Sequence, residues 1–111
     1  MAQFDPNELL IHHAKHQSEF PECTPAQYER LADTFLRRAS SVDLKECNRK
    51  KGDLIRYDML TNEYAVLSSA GVIRTYFKPV PCASLAPAVR AGCHGHATNL
   101  DYFSYECRNE R

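Results

Sequence analysis

The chain has 111 residues, 43% of them hydrophobic and 25% charged, the profile of one globular domain with a single two-layer core and no room for a second. Its 14 basic side chains balance its 14 acidic ones, so no global field draws it to a polyanion and any affinity for nucleic acid must come from local patches. No apolar run approaches the roughly 20 residues of a membrane helix, and the start MAQFDPNELL has neither a basic n-region nor an apolar h-region, so neither a membrane segment nor an export signal is expected.

Asp5-Pro6-Asn7-Glu8 and Thr24-Pro25-Ala26-Gln27 each place a capping residue before a proline at the first helical position, followed by an acid or amide able to close a capping box. Two helices are predicted from these points. On the first, at 100° per residue, Leu9, His13, Gln17 and Phe20 share one sector while Glu8, Lys15 and Glu19 lie opposite. This turns His13 toward the core and leaves His12 and His16 on the boundary between buried and wet faces, with Lys15 just outside them. A partly shielded imidazole at such a boundary can meet a substrate, although a histidine on an amphipathic helix is also simply a tolerated polar residue. The second helix has Tyr28, Leu31, Ala32, Phe35 and Leu36 at i, i+3, i+4, i+7 and i+8, an apolar stripe that marks it as scaffold.

A basic run follows, with Lys45, Arg49, Lys50, Lys51 and Arg56 offset by Glu46 and Asp53; it reads either as a solvated loop or as a local nucleic-acid patch. Gly52 then opens an antiparallel meander over Asp53 to Asp58, Asn62 to Ser68 and Val72 to Lys78, with turns at Thr61-Asn62 and Ala70-Gly71 and an end at Pro79 and Pro81. Strict alternation puts Ile73, Thr75 and Phe77 on one face of the last strand and Arg74, Tyr76 and Lys78 on the other. Cys82 to His96 reads as a long loop, and Leu100, Phe103 and Cys107 favour a closing helix over Asn99 to Cys107. The predicted fold class is α+β, with N-terminal helices packed on a small antiparallel β-sheet in a single domain over residues 1–111.

Five cysteines, at 23, 47, 82, 93 and 107, are an odd number without a CxxC pair, and reduced thiols in a cytosolic setting are the expectation. Cys93, His94 and His96, with Cys82 or Cys107 as a fourth ligand, form the one stretch that resembles a metal site, although structural zinc usually uses two closely spaced pairs.

These residues suit metal-free RNA cleavage, which needs a base for the 2′-OH proton, an acid for the 5′-oxygen and cations around the pentacoordinate phosphorane. Histidine, with an unperturbed pKa of about 6.5, suits the first two tasks. The expectation gives His16 the acid/base role, with His12 as second candidate, Lys15 and Arg56 or Arg74 as charge stabilisers, and Thr75 as a donor to the scissile phosphate. Lys78 adds a phosphate-binding cation, and Tyr76 or Phe77 is placed to stack a base, with core packing the competing role for Phe77. No cofactor and no metal is expected.

The His/Lys-bearing helix, the apolar second helix, and then Gly-Asp-Leu-Ile-Arg-Tyr-Asp, Thr-Asn-Glu-Tyr, Gly-Val-Ile-Arg-Thr-Tyr-Phe-Lys-Pro and Asn-Leu-Asp-Tyr-Phe resemble the C-terminal toxin domains of contact-dependent growth-inhibition and related polymorphic toxin systems. The resemblance runs from about Leu10 to Phe103, and its most specific part is the Arg-Thr-Tyr-Phe-Lys-Pro strand. Those domains belong to the broad barnase, EndoU, colicin and RelE-like ribonuclease group. Lys15-His16 and Thr75-x-Phe77 are also similar to the active-site pattern of the colicin D type of tRNA anticodon nuclease, a Lys-His pair on a helix and a hydroxyl residue two places before an aromatic on a strand. The resemblance implies an endoribonuclease acting on RNA, tRNA in particular, in the cytoplasm of a target bacterium. It further implies delivery as part of a larger carrier and a cognate immunity protein as partner. Two other classes compete: a noncatalytic interaction domain on the same scaffold, which a start at Met1 would suit, and a small zinc-binding module built on the Cys/His-rich C-terminal third.

Overall fold

The computed structural model describes residues 2–21, 23–49, 51–79 and 99–108. In chain order it contains β1 (Gln3–Phe4), α1 (Pro6–His16), α2 (Pro25–Arg37), β2 (Leu44–Asn48), β3 (Leu54–Asp58), β4 (Glu63–Leu67), β5 (Val72–Phe77) and α3 (Asn99–Arg108). Both N-terminal helices start where the capping patterns put them. The Asp5 carboxylate accepts from Asn7 N at 3.0 Å. Thr24 and Gln27 close a full capping box, with Thr24 N donating to Gln27 Oε1 at 2.8 Å and Gln27 N to Thr24 Oγ1 at 3.2 Å. Both helices carry proline in the first turn, where a missing N–H costs nothing.

The fold is α+β, as expected, but the sheet is mixed, where the sequence suggested a purely antiparallel one. Its strand order is β1-β5-β4-β3-β2, and β1 runs parallel to β5 while the other neighbours are antiparallel. A two-residue strand has too short a pattern to register as a period. The basic run is also corrected in part: Leu44 to Asn48 is strand β2, paired along its length with β3, where Lys45 and Glu46 face partners Tyr57 and Arg56. Charged residues in this strand mark a sheet edge, the usual protection of an unpaired strand against pairing with other chains.

Helices cover both faces of the sheet. Phe4, Phe20, Tyr28, Ala32, Phe35, Leu36, Leu44, Ala65, Ile73 and Tyr76 form one core under α1 and α2. Ile55, Tyr57, Tyr64, Val66, Phe77 and Phe103 form a second under α3. Alternation along β4 assigns Ala65 to the first core and Tyr64 and Val66 to the second. The stripe of α2 is corrected at one position: Leu31 is 40% exposed, while Asp33 is fully buried and accepts from Ala2 N at 2.8 Å. Ala2 lies against that side of the helix and supplies the polar partner that burial of a carboxylate demands.

On β5 the expected alternation also breaks. Val66 pairs with Thr75 but the next residue, Leu67, pairs with Ile73, so Arg74 is the extra residue of a β-bulge. The bulge shifts the phase by one residue, so that Ile73 and Tyr76 pack in the same core while Phe77 lies in the other. The turns carry the residues their geometry asks for: Asn62 has φ 62° and Gly71 φ 84°, left-handed values that asparagine and glycine tolerate best.

The expectation of reduced thiols is overturned by a Cys47–Cys107 disulfide, which ties edge strand β2 to α3 across a separation of 60 residues. Spacing along the chain carries no trace of a pair made by tertiary packing. Cys23 is free. Cys82, Cys93, His94 and His96, and with them the proposed loop and metal stretch, lie outside the described residues.

Candidate active site

Strand β1 pairs with Val72 and Ile73, so beyond the bulge the outer edge of β5 has no strand beside it among the described residues. The C-terminal end of α1 and the turns after it fill that place. The helix stops at His16, Glu19 N donates to His16 O at 2.9 Å and Phe20 N donates to Gln17 O at 3.2 Å. These two turns fold the chain back and bring the Glu19 carboxylate to the sheet edge. One of its oxygens accepts from Lys78 N at 2.6 Å and the other lies 2.7 Å from His16 Nδ1.

His16 is the most buried residue of α1, at 8% exposure, rather than a boundary residue. Its ring stacks on Phe77 at 5.2 Å and on His12 at 6.1 Å, with interplanar angles of 24° and 25°. Stacking sets the plane of the imidazole and Glu19 sets its rotation. Among the described residues His16 Nε2 has no hydrogen-bond partner, which leaves it as the nitrogen able to exchange a proton.

His12 lies behind it, stacked on Phe4 at 5.5 Å with its Nε2 3.5 Å from Glu8 and its buried Nδ1 unpaired among the described residues. Burial pushes its pKa below the ordinary value, helped by the charges of His16 and Lys15 and opposed by Glu8. A neutral ring in the resting protein follows. His13, expected to point into the core, is half-buried; its Nε2 lies 2.6 Å from Cys23 O and its ring meets the edge of Tyr28. That contact pins the connection to α2.

The other predicted site residues divide into those near this edge and those committed elsewhere. Lys15 is exposed next to His16, and Lys78 carries its ammonium over the Phe20 ring at 5.1 Å. Thr75 is half-buried and, two places before Phe77, lies on the same face of β5. Arg74, at the bulge, reaches Asp53 Oδ2 at 3.3 Å with its side chain more than half exposed. Phe77 is buried and packs against Tyr64 at 5.1 Å, so its ring belongs to the core as well as to His16.

Tyr76 and Arg56 lie away from any open surface. Tyr76 is 1% exposed, stacked by Phe20 at 4.7 Å, and donates its hydroxyl to Glu63; burial and that carboxylate keep the phenol protonated well above its usual range. Its ring has no face left for a base. Arg56 donates to the carbonyls of Phe35, Leu36 and Arg38 at 3.1, 3.2 and 2.7 Å and to Glu46 at 2.7 Å. It closes the C-terminal end of α2, where orphan carbonyls and the negative end of the helix dipole favour a cation.

Glu19 is the residue that sequence reasoning missed. The helical projection assumed that α1 continued through Phe20 and so set Glu19 on the wet face. A His-x-x-Glu pattern at the end of a helix was the available signal. Among the described residues no cluster of three or more potential metal ligands occurs, and no helix is long and apolar enough to cross a membrane.

No protein-family model matches the chain, and no curated protein shows significant similarity to it.

Proposed function

We propose that this protein is an endoribonuclease that cleaves RNA, with tRNA as its substrate class, by attack of the 2′-OH on the adjacent phosphate. The observation that carries the reading is His16, clamped by Glu19 and Phe77 with Nε2 unclaimed among the described residues, with Lys15 preceding it on α1 and Lys78 following Phe77 at the sheet edge. Such an imidazole can take the 2′-OH proton as the O2′–P bond forms and return it to the departing 5′-oxygen as the P–O5′ bond breaks, leaving a 2′,3′-cyclic phosphate and a 5′-hydroxyl. Lys15, the neighbour of His16 on α1, and Lys78, the neighbour of Phe77, are the cations assigned to the charge that develops on the phosphorane, and Thr75 offers a hydroxyl on the same strand face as Phe77. His12, held neutral, is the second base.

The chemistry is complete without a metal ion, because base, acid and cation are all side chains. The Cys47–Cys107 disulfide suits a chain that passes through an oxidising compartment before it acts, as a toxin delivered to a neighbouring bacterium would. In that setting the partner is an immunity protein that covers the His16 edge.

Purified protein and its His16→Ala variant, incubated with total bacterial tRNA in EDTA and resolved on a denaturing gel, test the reading. Discrete fragments from the parent and a rate about 10²- to 10⁴-fold lower in the variant are expected. Equal rates remove His16 from the mechanism. Intact tRNA in both lanes, from folded protein, favours a noncatalytic interaction domain, a reading supported by Leu10 and Ile11, adjacent on α1 and 59% and 58% exposed.

A further inference from the structure

We infer that Glu19 is a positioning residue for His16, holding the neutral imidazole as its Nδ1–H tautomer so that Nε2 is the bare nitrogen presented to substrate. The inference rests on the endoribonuclease reading for its purpose and on geometry for its content. A carboxylate oxygen 2.7 Å from Nδ1 has only lone pairs to offer, so the nitrogen facing it must carry the proton. That arrangement fixes the tautomer, and it stabilises the imidazolium that forms when Nε2 takes a proton. The carboxylate is itself anchored, since its other oxygen accepts from Lys78 N at 2.6 Å on β5. His16 is thereby referenced to the strand that carries Thr75, Phe77 and Lys78.

Closing the β5 edge would be a sufficient structural role for Glu19 through the Lys78 contact alone. What that role does not require is the second oxygen on His16, nor a ring held between Phe77 and His12 with the opposite nitrogen unclaimed among the described residues. The two roles predict different measurements.

Nitrogen-15 imidazole spectra of the parent, recorded where His16 is neutral, should show Nδ1 protonated and Nε2 bare, the tautomer that free histidine disfavours. Glu19→Ala should return His16 to the Nε2–H form. A parent spectrum with Nε2–H overturns the inference, whatever the protein cleaves. On tRNA, Glu19→Gln should lower kcat by about 10- to 100-fold, the loss expected when the partner orienting a general base is weakened, with KM within about twofold and an unchanged melting temperature. A variant that cuts at the parental rate, or whose loss is matched by loss of folded protein, overturns the positioning role. A parent that shows the expected tautomer but never cleaves RNA overturns the functional reading instead, and the spectra separate the two failures.

Discussion

His12 carries a pH dependence that can be assigned to a single residue. Burial beside Phe4 and His16 holds its folded pKa below the ordinary value of 6.5, which the unfolded chain approximates. A group whose folded pKa is depressed contributes stability that is full above the unfolded pKa and is lost as pH falls through the folded one. Stability should therefore decline on acidification below about pH 6.5. His12→Phe, which keeps an aromatic ring against Phe4, should flatten that decline, as read by the difference in melting temperature between pH 7 and pH 5 for parent and variant. A slope as steep in the variant as in the parent would assign the effect to other groups. At the same scale, Arg56 and Tyr76 show how a residue type can mislead: both were expected at a phosphate or a base, and both serve buried networks within the core. A sequence displays a guanidinium or a phenol but not the carbonyls of Phe35, Leu36 and Arg38 or the Glu63 carboxylate that claim them.

Among the elements, α3 depends most on a single link. It packs on the sheet through Phe103 and Tyr102, with Tyr102 5.0 Å from Tyr64, and it is bonded to β2 through Cys107. Cross-linking residues 60 apart removes loop entropy from the unfolded chain, equivalent to about 4 kcal/mol in the chain-entropy model. Cys107→Ser, or addition of reductant to the parent, should lower the unfolding free energy by roughly that amount, as measured by urea denaturation. Cys23→Ser should leave it nearly unchanged. An equal midpoint with and without reductant would show that α3 holds its place by packing alone. The bulge at Arg74 is the other decisive element, because one inserted residue puts Tyr76 under α2 and Phe77 against His16. Alternation read along the strand carries no sign of it, since a bulge is a property of the pairing with β4.

For the whole molecule, zero formal net charge makes any binding of a polyanion a local matter. Among the described residues, Lys15 beside His16, Lys78 beside Phe77 and Arg74 at the bulge are the cations that the proposed reading assigns to phosphate. Three phosphate contacts on a single strand give a salt slope of about −2 in log K against log[salt]. A titration of tRNA affinity with salt checks this, and a slope several times steeper would point to a wider basic surface such as Lys45 to Arg56. Arg49 and Arg56 are paired with Asp53 and Glu46 and their side chains are only 12% and 8% exposed, against 58% for the Arg74 side chain that also meets Asp53, which limits what that run can offer.

Much of this architecture is written in short-range chemistry. The caps at Asp5 and Thr24, most of the apolar stripe of α2, the three meander strands and the closing helix are all legible from a few neighbouring residues, because capping, turn formation and amphipathic periodicity act within one or two turns of chain. The tertiary structure alone decided the parallel pairing of β1, the edge strand β2, the bulge at Arg74, the Cys47–Cys107 bond and the return of Glu19 to His16. Each of these depends on where one segment meets another: on a partner strand that completes a two-residue ladder, on a helix that ends four residues before its pattern does, or on a thiol brought across from 60 residues away. Local sequence sets which conformations a segment favours, and packing between distant segments selects among them.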